Sequence, residues 1–293
     1  MSAKHPIVAI TGSSGAGTST AKVALEHIFR REEVVPAIVE GDCFHKFDRA
    51  GFKSAAKEYE KRGERLSHFS PDANVFDKLE LLFKEYGENG SGLARTYLHD
   101  AEEAAPYNQE PGTFTPWERV GGDSNLLFYE GLHGGVITPE VNVAQYTDLL
   151  VGIVPVVNLE WIQKIHRDTK KRGYSDEAVV DNILQRMHDY VHYITPQFVH
   201  TDINFQRVPV VDTSHPFVAR DVPTSDESLV VIRIRKPARW GIDFPYLLSM
   251  LNGSFMSRRN TIVVPAGKML LAMEIILTPI IHMLMENARK SDS

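Results

Sequence analysis

The feature that most constrains the fold is a glycine-rich turn between an apolar run and an amphipathic segment near the N-terminus. Residues 5–11 read HPIVAIT, a run typical of a buried strand. The turn GSSGAGTST follows at residues 12–20. Apolar side chains then recur at helical spacing, at Ala21, Ala24, Leu25, Ile28 and Phe29. A strand, a glycine-rich turn and a helix in this order predict the first unit of an α/β fold.

The turn matches most of the phosphate-binding pattern G-x-x-x-x-G-K-[ST]. Gly12, Gly17 and Ser19 fall on the pattern, but Thr18 occupies the lysine position. Backbone N–H groups in such a turn can surround phosphate oxygens at the positive end of the helix, and the Ser19 hydroxyl is placed to bind Mg²⁺. The alternative is a glycine-rich turn without a ligand. The predicted nucleotide-binding residues are Gly12, Ser13, Ser14, Gly15, Ala16, Gly17, Thr18, Ser19 and Thr20.

A cation from elsewhere has to replace the missing lysine, because phosphoryl transfer depends mainly on positioning and charge neutralisation. The stretch WIQKIHRDTKKRG supplies the best candidates. On a helix its charged residues form one stripe, and the alternative is a solvated helix face with ion pairs. The stripe consists of Lys164, Arg167, Asp168 and Arg172.

The stretch EGDCFHKFDR lies just past a second predicted strand at residues 34–39. Ligand sites in α/β sheets lie at such strand ends. Asp42 there can orient and deprotonate an attacking hydroxyl, and His45 and Arg49 can bind an anionic acceptor. The alternative is a side-chain-capped turn with surface charges.

Two further stretches carry candidate ligands. Glu130 ends a predicted strand at residues 126–129, where a carboxylate can bind Mg²⁺ directly or through water. The stretch RTYLHD supplies Arg95, Tyr97 and His99, which could close over a sugar phosphate. The alternatives are a solvated carboxylate and ordinary loop residues.

Composition fits an ordinary globular protein. The 293 residues are 43% hydrophobic and 24% charged, and the formal net charge of -6 argues against a general nucleic-acid binder. The single cysteine, Cys43, excludes a disulfide within the chain, and we expect a cytoplasmic location. The apolar run 269–285 contains Glu274, Pro279 and His282, so we predict a core or subunit-interface helix and no membrane association.

Strands and helices alternate along the rest of the chain. Further strands are predicted at 148–154, 209–212, 229–235 and 262–264, and helices at 158–172, 175–193 and 269–290. We predict one domain over residues 1–293, with a long insertion at about 87–125 near the acceptor site. Its fold class is α/β, with a mixed, mostly parallel sheet covered by helices on both faces.

The combined motifs resemble the bacterial-type members of the phosphoribulokinase/uridine kinase family of P-loop kinases, over nearly the whole chain. The stretch HFSPDANVFD also resembles the wider family. The matching stretches are GSSGAGTST, EGDCFHKFDR, FYEGLHG, NLEWIQKIHRDTKKRGYS, DINFQRVPVVDTS and GIDFPYL. The resemblance implies a P-loop kinase-like fold, similar to the nucleotide monophosphate kinases. It also implies Mg²⁺-dependent transfer of the ATP γ-phosphate to O1 of D-ribulose 5-phosphate, a step of the Calvin cycle.

The resemblance also implies residue roles. Asp42 resembles the catalytic base, Asp168 the second essential carboxylate, and Lys164 the lysine that neutralises transition-state charge. Glu130 resembles the Walker B carboxylate, and the family's loop also lacks the usual lysine. The sugar-phosphate ligands of the family are matched by His45, Arg49 and Arg172, with Arg167 nearby.

Regulation is implied by the same resemblance. Bacterial-type relatives are homo-oligomers activated by NADH, and Arg31, Arg233 and Arg258 lie at positions resembling the effector-binding arginines. Plant and cyanobacterial relatives carry a regulatory cysteine pair, which a chain with Cys43 alone cannot form.

Two rival functions stay open on the sequence. A uridine kinase-like nucleoside kinase would share the loop and Asp42, but a neutral nucleoside would not require an anion site at His45, Arg49 and Arg172. A nucleotide-binding regulator would bind ATP without sugar-dependent turnover.

Overall fold

The computed structural model describes residues 4–13, 17–219 and 221–292, apart from the side chains of Ser19, Lys171, Arg172 and Asp292. The strands are β1 Ile7–Gly12, β2 Pro36–Glu40, β3 Ser91–Ala94, β4 Glu118–Gly121, β5 Leu126–Gly131, β6 Leu149–Val154, β7 Ile203–Pro209, β8 Ser228–Ile234, β9 Phe255–Arg258 and β10 Thr261–Pro265. The helices are α1 Thr18–Arg31, α2 Arg49–Lys61, α3 Phe76–Asn89, α4 Ala101–Ala104, α5 Val157–Arg172, α6 Asp176–Gln185, α7 Met187–Asp189, α8 Phe244–Met250 and α9 Met269–Asp292.

The main sheet has eight strands in the order β2-β5-β1-β6-β7-β8-β10-β9. The first five are parallel to one another, and β8, β10 and β9 continue the sheet in antiparallel pairs. Since parallel strands end at the same edge, the segments that follow β1, β2, β5 and β6 meet there. The predicted fold class is confirmed.

Alternation along β1 explains why both faces of the sheet are covered. Val8 and Ile10 enter one core cluster together with the apolar faces of α1 and α9. Ile7 and Ala9 enter the opposite cluster, which includes the apolar face of α3. All four β1 side chains have no exposed surface, as expected for a central parallel strand.

Helix α9 has its apolar side in the core, as the sequence predicts. By length and composition the segment Ala266–Ser291 could cross a bilayer, yet half of its most apolar window is buried within the protein. Its side chains without exposed surface pack along α1 and the sheet. They are Ala272, Met273, Ile276, Leu277, Ile280 and Ile281.

Two of the predicted elements are wrong in detail. The strand predicted at 209–212 is displaced, because β7 spans Ile203–Pro209 and the β-branched pair Val210 and Val211 is exposed. The helix predicted at 175–193 is interrupted at Arg186, where α6 gives way to α7 and a π-helical turn over Tyr190–Ile194.

The predicted insertion at 87–125 contains its own small elements. β3 and β4 pair antiparallel, and α4 lies between them in the chain. The pattern did not indicate these short strands, nor the edge strand β9 and helix α2.

Candidate active site

A cavity of about 490 Å³ opens at the edge of the sheet where the parallel strands end. Its walls come from the ends of β1 and β2, from α5 and α6, and from the turn after α7. It therefore brings together residues that lie more than 100 positions apart in the sequence. The charged and polar side chains in its wall include Ser13, Asp42, His45, His68, Tyr97, Glu160, Lys164, Arg167, Asp168, Tyr174, Asn182, Arg186 and Tyr190.

The glycine-rich loop begins in this wall and ends at the first turn of α1. Gly17, the N-cap of α1, has φ 105°, a left-handed conformation that favours glycine. A Cβ on Gly12 would lie 2.9 Å from the Ile153 carbonyl oxygen, so the strand end also requires glycine. The predicted ligands Ser14, Gly15 and Ala16 lie outside the described residues.

Two glycines allow the ends of β2 and β5 to approach closely beside Asp42. A Cβ on Gly41 would lie 2.9 Å from the Gly131 Cα and 2.5 Å from the Tyr129 hydroxyl. A Cβ on Gly131 would lie 2.7 Å from the Gly41 Cα. This contact fixes the turn over Gly41–Phe44 and directs Asp42 to the cavity.

Asp168 is a buried carboxylate held by two cations of its own helix. Lys164 Nζ donates to Asp168 Oδ2 at 2.6 Å, and Arg167 Nε donates to Asp168 Oδ1 at 2.9 Å. Burial alone would raise the pKa of Asp168, but these two partners hold it below its ordinary value. Burial lowers the pKa of Lys164, against the effect of Asp168. Three members of the predicted charged stripe, Lys164, Arg167 and Asp168, thus form a compact cluster in the cavity wall.

Glu130 faces the start of α1. It lies in register with Ile10 of β1 and Glu40 of β2. Burial raises the pKa of Glu130, while a hydrogen bond to Thr18 and the charge of Lys22 act in the opposite direction. Thr18, which occupies the lysine position of the motif, therefore contacts the carboxylate predicted to act at Mg²⁺.

Two histidines and a tyrosine lie close together on the acceptor side of Asp42. His45 Nε2 lies 3.6 Å from Asp42 Oδ1, and His99 Nε2 lies 3.8 Å from Asp42 Oδ2. Tyr97 packs edge-on against both rings. The insertion therefore brings Tyr97 and His99 close to Asp42, and their contact with a sugar phosphate stays a prediction.

Arg95 has a different place from the one expected of a loop residue closing over a sugar phosphate. Its guanidinium donates to the carbonyl oxygens of Cys43 at 2.9 Å and His45 at 2.6 Å. It also packs over the rings of Phe114 and Trp117. Arg95 thus ties the insertion to the turn that carries Asp42, and buried Cys43 is a packing residue of that turn whose pKa burial raises to about 12.

Other predicted residues are not brought into the cavity wall. Arg49 begins α2, capped by Asp48, and its guanidinium donates to the His99 carbonyl oxygen at 2.8 Å. The side chains of Ser19 and Arg172 lie outside the described part of the chain.

The three predicted effector residues occupy two places. Arg233 and Arg258 both pair in register with Thr261 of β10, from its two sides. Arg31 lies at the end of α1, where it donates to Thr278 of α9 at 2.6 Å.

Glu160 and Arg186 are cavity residues that the sequence reasoning missed. Glu160 is buried and accepts a hydrogen bond from Tyr190 at 2.9 Å, and burial raises its pKa. Burial lowers the pKa of Arg186, against the charge of Asp168. The sequence did contain a signal for Arg186, because this residue falls on the same helical face as buried Val179 and Ile183. A cation on an apolar helix face indicates a specific partner or a binding role.

The residues predicted to bind Mg²⁺ are Ser19, Glu130 and Asp168. Among the described residues, no three histidine, cysteine or acidic side chains cluster as a metal site. Mg²⁺ at a nucleotide site takes only one or two protein carboxylates, with water and phosphate oxygens as its other ligands. Glu130 beside Thr18 fits that requirement better than Asp168, because both Asp168 oxygens already accept from cations.

Comparison with known proteins agrees with this geometry. Residues 7–214 match the Phosphoribulokinase / Uridine kinase family. The chain is 59% identical over 292 residues to the chromosomal phosphoribulokinase of Cupriavidus necator, covering 99% of each chain. It is 59% identical over 290 residues to phosphoribulokinase 1 of Cereibacter sphaeroides, again covering 99% of each.

A solved structure is similar over the same length. The phosphoribulokinase from Rhodobacter spheroides has a TM-score of 0.89 to this chain at 56% identity, and the match covers 98% of this chain and 99% of the other. At this identity and coverage the resemblance inferred from the motifs is confirmed. The chain belongs to the phosphoribulokinase/uridine kinase family.

Proposed function

We propose that this protein is a phosphoribulokinase, which transfers the γ-phosphate of ATP to O1 of D-ribulose 5-phosphate and yields D-ribulose 1,5-bisphosphate and ADP. The full-length identity to phosphoribulokinases supports this activity. The single structural observation that carries it is one cavity bordered by the glycine-rich loop, by Asp42, and by Lys164 with Asp168. The activity would serve the Calvin cycle in the cytoplasm.

Asp42 is the proposed base. It lies at the end of β2, beside the loop expected to hold the nucleotide phosphates, and its side chain is 41% exposed and so accessible to a substrate. It would take the proton of the O1 hydroxyl as that oxygen attacks the γ-phosphorus. Removing a positioned base of this kind lowers kcat by about 10²- to 10⁴-fold.

Lys164 is the proposed replacement for the lysine missing from the loop. Its ammonium lies against Asp168 at 2.6 Å in the wall that also contains Ser13 of the loop. Charge accumulates on the oxygens of the transferred phosphoryl group, and a fixed cation there lowers the barrier. Asp168 holds Lys164 and Arg167 in place and limits the net charge of the cluster.

Glu130 and the Ser19 hydroxyl are the proposed protein ligands of the Mg²⁺ that accompanies ATP. When bound, the ion would neutralise charge on the β- and γ-phosphates. Asp168 could join them only by releasing one of its two cations.

The acceptor phosphate would be bound by Arg167, Arg172, His45 and Arg49. Arg167 and His45 line or adjoin the cavity already, whereas the Arg49 guanidinium would have to leave the His99 carbonyl oxygen. Tyr97 and His99 would contact the sugar beside Asp42. We therefore expect Arg49→Ala to raise the KM for ribulose 5-phosphate more than it lowers kcat.

The nucleoside would lie on the opposite side of the loop from Asp42. The strand order puts Asp42 on the β2 side of β1, so the transferred phosphate faces β2 and the nucleoside faces β6 and β7. A recess of about 70 Å³ opens there, lined in part by Gly17, Pro155, Arg207 and Met269. Arg207→Ala should accordingly raise the KM for ATP and leave the KM for the sugar phosphate unchanged.

A uridine kinase-like activity is the rival within the same family. The cations Lys164, Arg167 and Arg186 converge on one cavity, and a neutral nucleoside acceptor would not need all three. A coupled ADP-release assay with ribulose 5-phosphate and uridine in parallel tests the proposal. We expect ADP release with ribulose 5-phosphate and none with uridine. ADP release with uridine but not with ribulose 5-phosphate would refute the proposal, and so would the absence of ADP release with both acceptors.

Activation by NADH and assembly into a homo-oligomer extend the proposal. Arg233 and Arg258 lie on strands that flank β10, near enough in register to share one ligand. If they bind the effector, Arg233→Ala should abolish stimulation by NADH in the same assay and leave the basal rate within about twofold of wild type. Sedimentation velocity would give the oligomeric state.

A further inference from the structure

A packed row of aromatic rings lies next to Asp42, and the mechanism above uses only one of them, His45. The His45 ring lies 4.4 Å from the His68 ring, centroid to centroid. The His68 ring stacks on Phe52 at 3.9 Å with an interplanar angle of 16°. His133 adjoins the row, with its Nε2 3.0 Å from the His68 carbonyl oxygen. We refer to His45, His68 and Phe52 as the aromatic stack.

We propose that His68 is a positioning residue that holds His45 as a neutral imidazole beside Asp42. The proposal rests on the assignment of Asp42 as the base. His45 is 8% exposed, and its Nε2 lies 3.6 Å from Asp42 Oδ1. An imidazolium at that distance would stabilise the Asp42 carboxylate and weaken it as a proton acceptor. A neutral ring leaves the carboxylate basic and still offers one hydrogen bond to the acceptor.

The charged groups around His45 and His68 disfavour protonation of these rings, with one exception. Arg95 from the insertion, Arg186 from the turn after α6 and His99 all disfavour a proton on His45, and only Asp42 favours one. Arg186 and His133 likewise disfavour a proton on His68. His45 itself also disfavours a proton on His68.

Burial disfavours the protonated form of each histidine ring more than the nearby charges do. Desolvation lowers the pKa of His45, lowers that of His68 to about 2 and lowers that of His133 to about 4. The Nδ1 atoms of His68 and His133 are buried without a hydrogen-bond partner among the described residues, so neither ring has a carboxylate to stabilise a charge. Stacking against His68 therefore supplies His45 with contact area and with no countercharge.

If His45 is neutral, it and the arginines have different roles in binding the acceptor. His45 would recognise it by hydrogen bonding, and the arginines would supply the positive charge for its phosphate. The charge on the ring beside Asp42 would then stay the same across neutral and mildly acidic pH. This differs from the simplest expectation for a histidine at a phosphate site, which is a cation that is lost on raising the pH.

Two variants at one position test the contribution of the stacked ring. His68→Phe keeps an aromatic ring between Phe52 and His45, whereas His68→Ala opens the stack to water. In the unliganded protein, NMR of ¹⁵N-labelled histidine reads the protonation of His45 directly, with His45→Gln to assign its signal. We expect the His45 ring to stay neutral from about pH 8 to about pH 6 in wild type and His68→Phe, and to titrate near its ordinary pKa of about 6.5 in His68→Ala.

Kinetics give a second readout. With a pKa near 6.5, His45 in His68→Ala would be neutral in only about a quarter of molecules at pH 6. We expect the kcat of His68→Ala at pH 6, divided by its kcat at pH 8, to be about fourfold below the same ratio in wild type. The ratio for His68→Phe should equal that of wild type. Comparison of ratios removes the titration of the substrate phosphate, whose pKa is about 6.

Titration of wild-type His45 near 6.5, or equal NMR titrations in wild type and His68→Ala, would overturn the proposal. The NMR experiment needs no turnover, so it tests the role of His68 even if the proposed kinase activity is wrong. Circular dichroism at each pH establishes that the variants compared are folded.

Discussion

At the scale of single residues, the chemistry of this site is set by how its charges are paired. Asp168 is 4% exposed, and it retains a negative charge because Lys164 and Arg167 donate to its two oxygens. The same contacts orient Lys164 toward the cavity, where a free and mobile lysine would be less well placed. One carboxylate thus holds Lys164, the cation that we propose replaces the lysine missing from the glycine-rich loop.

This pairing predicts a pH dependence of stability. The folded-state pKa of Asp168 lies below its ordinary value of 3.8, so its stabilising contribution is present above that pH and is lost as the pH falls through the folded-state value. Asp168→Asn should lower the free energy of unfolding by about 2 kcal/mol or more at pH 7, because two cations lose their partner. Urea titrations should give the same difference in the free energy of unfolding between wild type and Asp168→Asn at about pH 5.

The matched control for that variant is Asp226→Asn, an exposed aspartate, which should change the free energy of unfolding by less than about 0.5 kcal/mol. A deficit in Asp168→Asn that shrinks between pH 7 and pH 5 would mean that Asp168 titrates in that range. The described pairing would then be wrong.

The residue scale also shows where sequence reasoning stopped. Asp42, Lys164 and Asp168 could be predicted because each belongs to a motif next to a strand end or on one helical stripe. Glu160 could not, because it looks like an ordinary helix residue until its neighbours across the cavity are known. Arg186 was indicated only by its place on the helical face that carries buried Val179 and Ile183. The place of Arg49 against the His99 carbonyl oxygen depends on the fold of the insertion, which no local pattern reveals.

At the scale of elements, the ends of β2 and β5 are the critical contact. Gly41 and Gly131 allow the two backbones to meet, and the Tyr129 hydroxyl fills the remaining space. The turn that begins at Gly41 carries Asp42, Cys43 and Phe44, so a displacement of one backbone moves the proposed base.

Gly41→Ala should therefore act on both stability and rate. Its Cβ would lie 2.5 Å from the Tyr129 hydroxyl, so we expect a loss of about 1–3 kcal/mol in the free energy of unfolding and a lower kcat. Adding Tyr129→Phe removes the nearest atom and should recover part of the stability. Gly267→Ala is the control, since a Cβ there meets nothing within 4 Å.

Equal stabilities for Gly41→Ala and Gly267→Ala would show that the turn can move without cost. The contact between the two glycines would then have no role in positioning Asp42.

Elements were predicted well where the periodicity was long and strong. β1, α5 and α9 begin and end within about two residues of the predicted bounds. The failures are short or tertiary in origin: β9 has four residues, and the strand at 203–209 carries polar Asn204, Gln206 and Arg207, which hid its period. The interruption after α6 comes from a π-helical turn that local propensity does not specify.

At the scale of the whole molecule, α1 and α9 link the nucleotide loop to the core. α1 begins at the loop, and α9 packs along it, with His27 bonded to Glu274 at 2.8 Å and His282 bonded to Glu32 at 2.8 Å. Met269, at the start of α9, borders the same recess as Gly17. The stability of this pair therefore bears on the geometry of the loop.

Truncation on the two sides of α9 should have unequal effects. Ile276 has no exposed surface, so Ile276→Ala should lower the free energy of unfolding by about 2–5 kcal/mol. Leu271, on the same helix, is 46% exposed, and Leu271→Ala should cost less than about 1 kcal/mol in the isolated chain. Urea denaturation of both variants measures the difference.

A large loss in Leu271→Ala that depends on protein concentration would identify the exposed side of α9 as a subunit contact. Equal losses in the two variants at every concentration would contradict the described burial of the helix.

The central claim is that Lys164 supplies the positive charge that Thr18 cannot. Steady-state kinetics of Lys164→Met test it most directly, with Lys170→Met, an exposed lysine of the same helix, as the control. We predict that Lys164→Met lowers kcat with ATP and ribulose 5-phosphate by about 10²- to 10³-fold, while Lys170→Met stays within about twofold of wild type. A folded Lys164→Met enzyme with near-normal kcat would contradict the account.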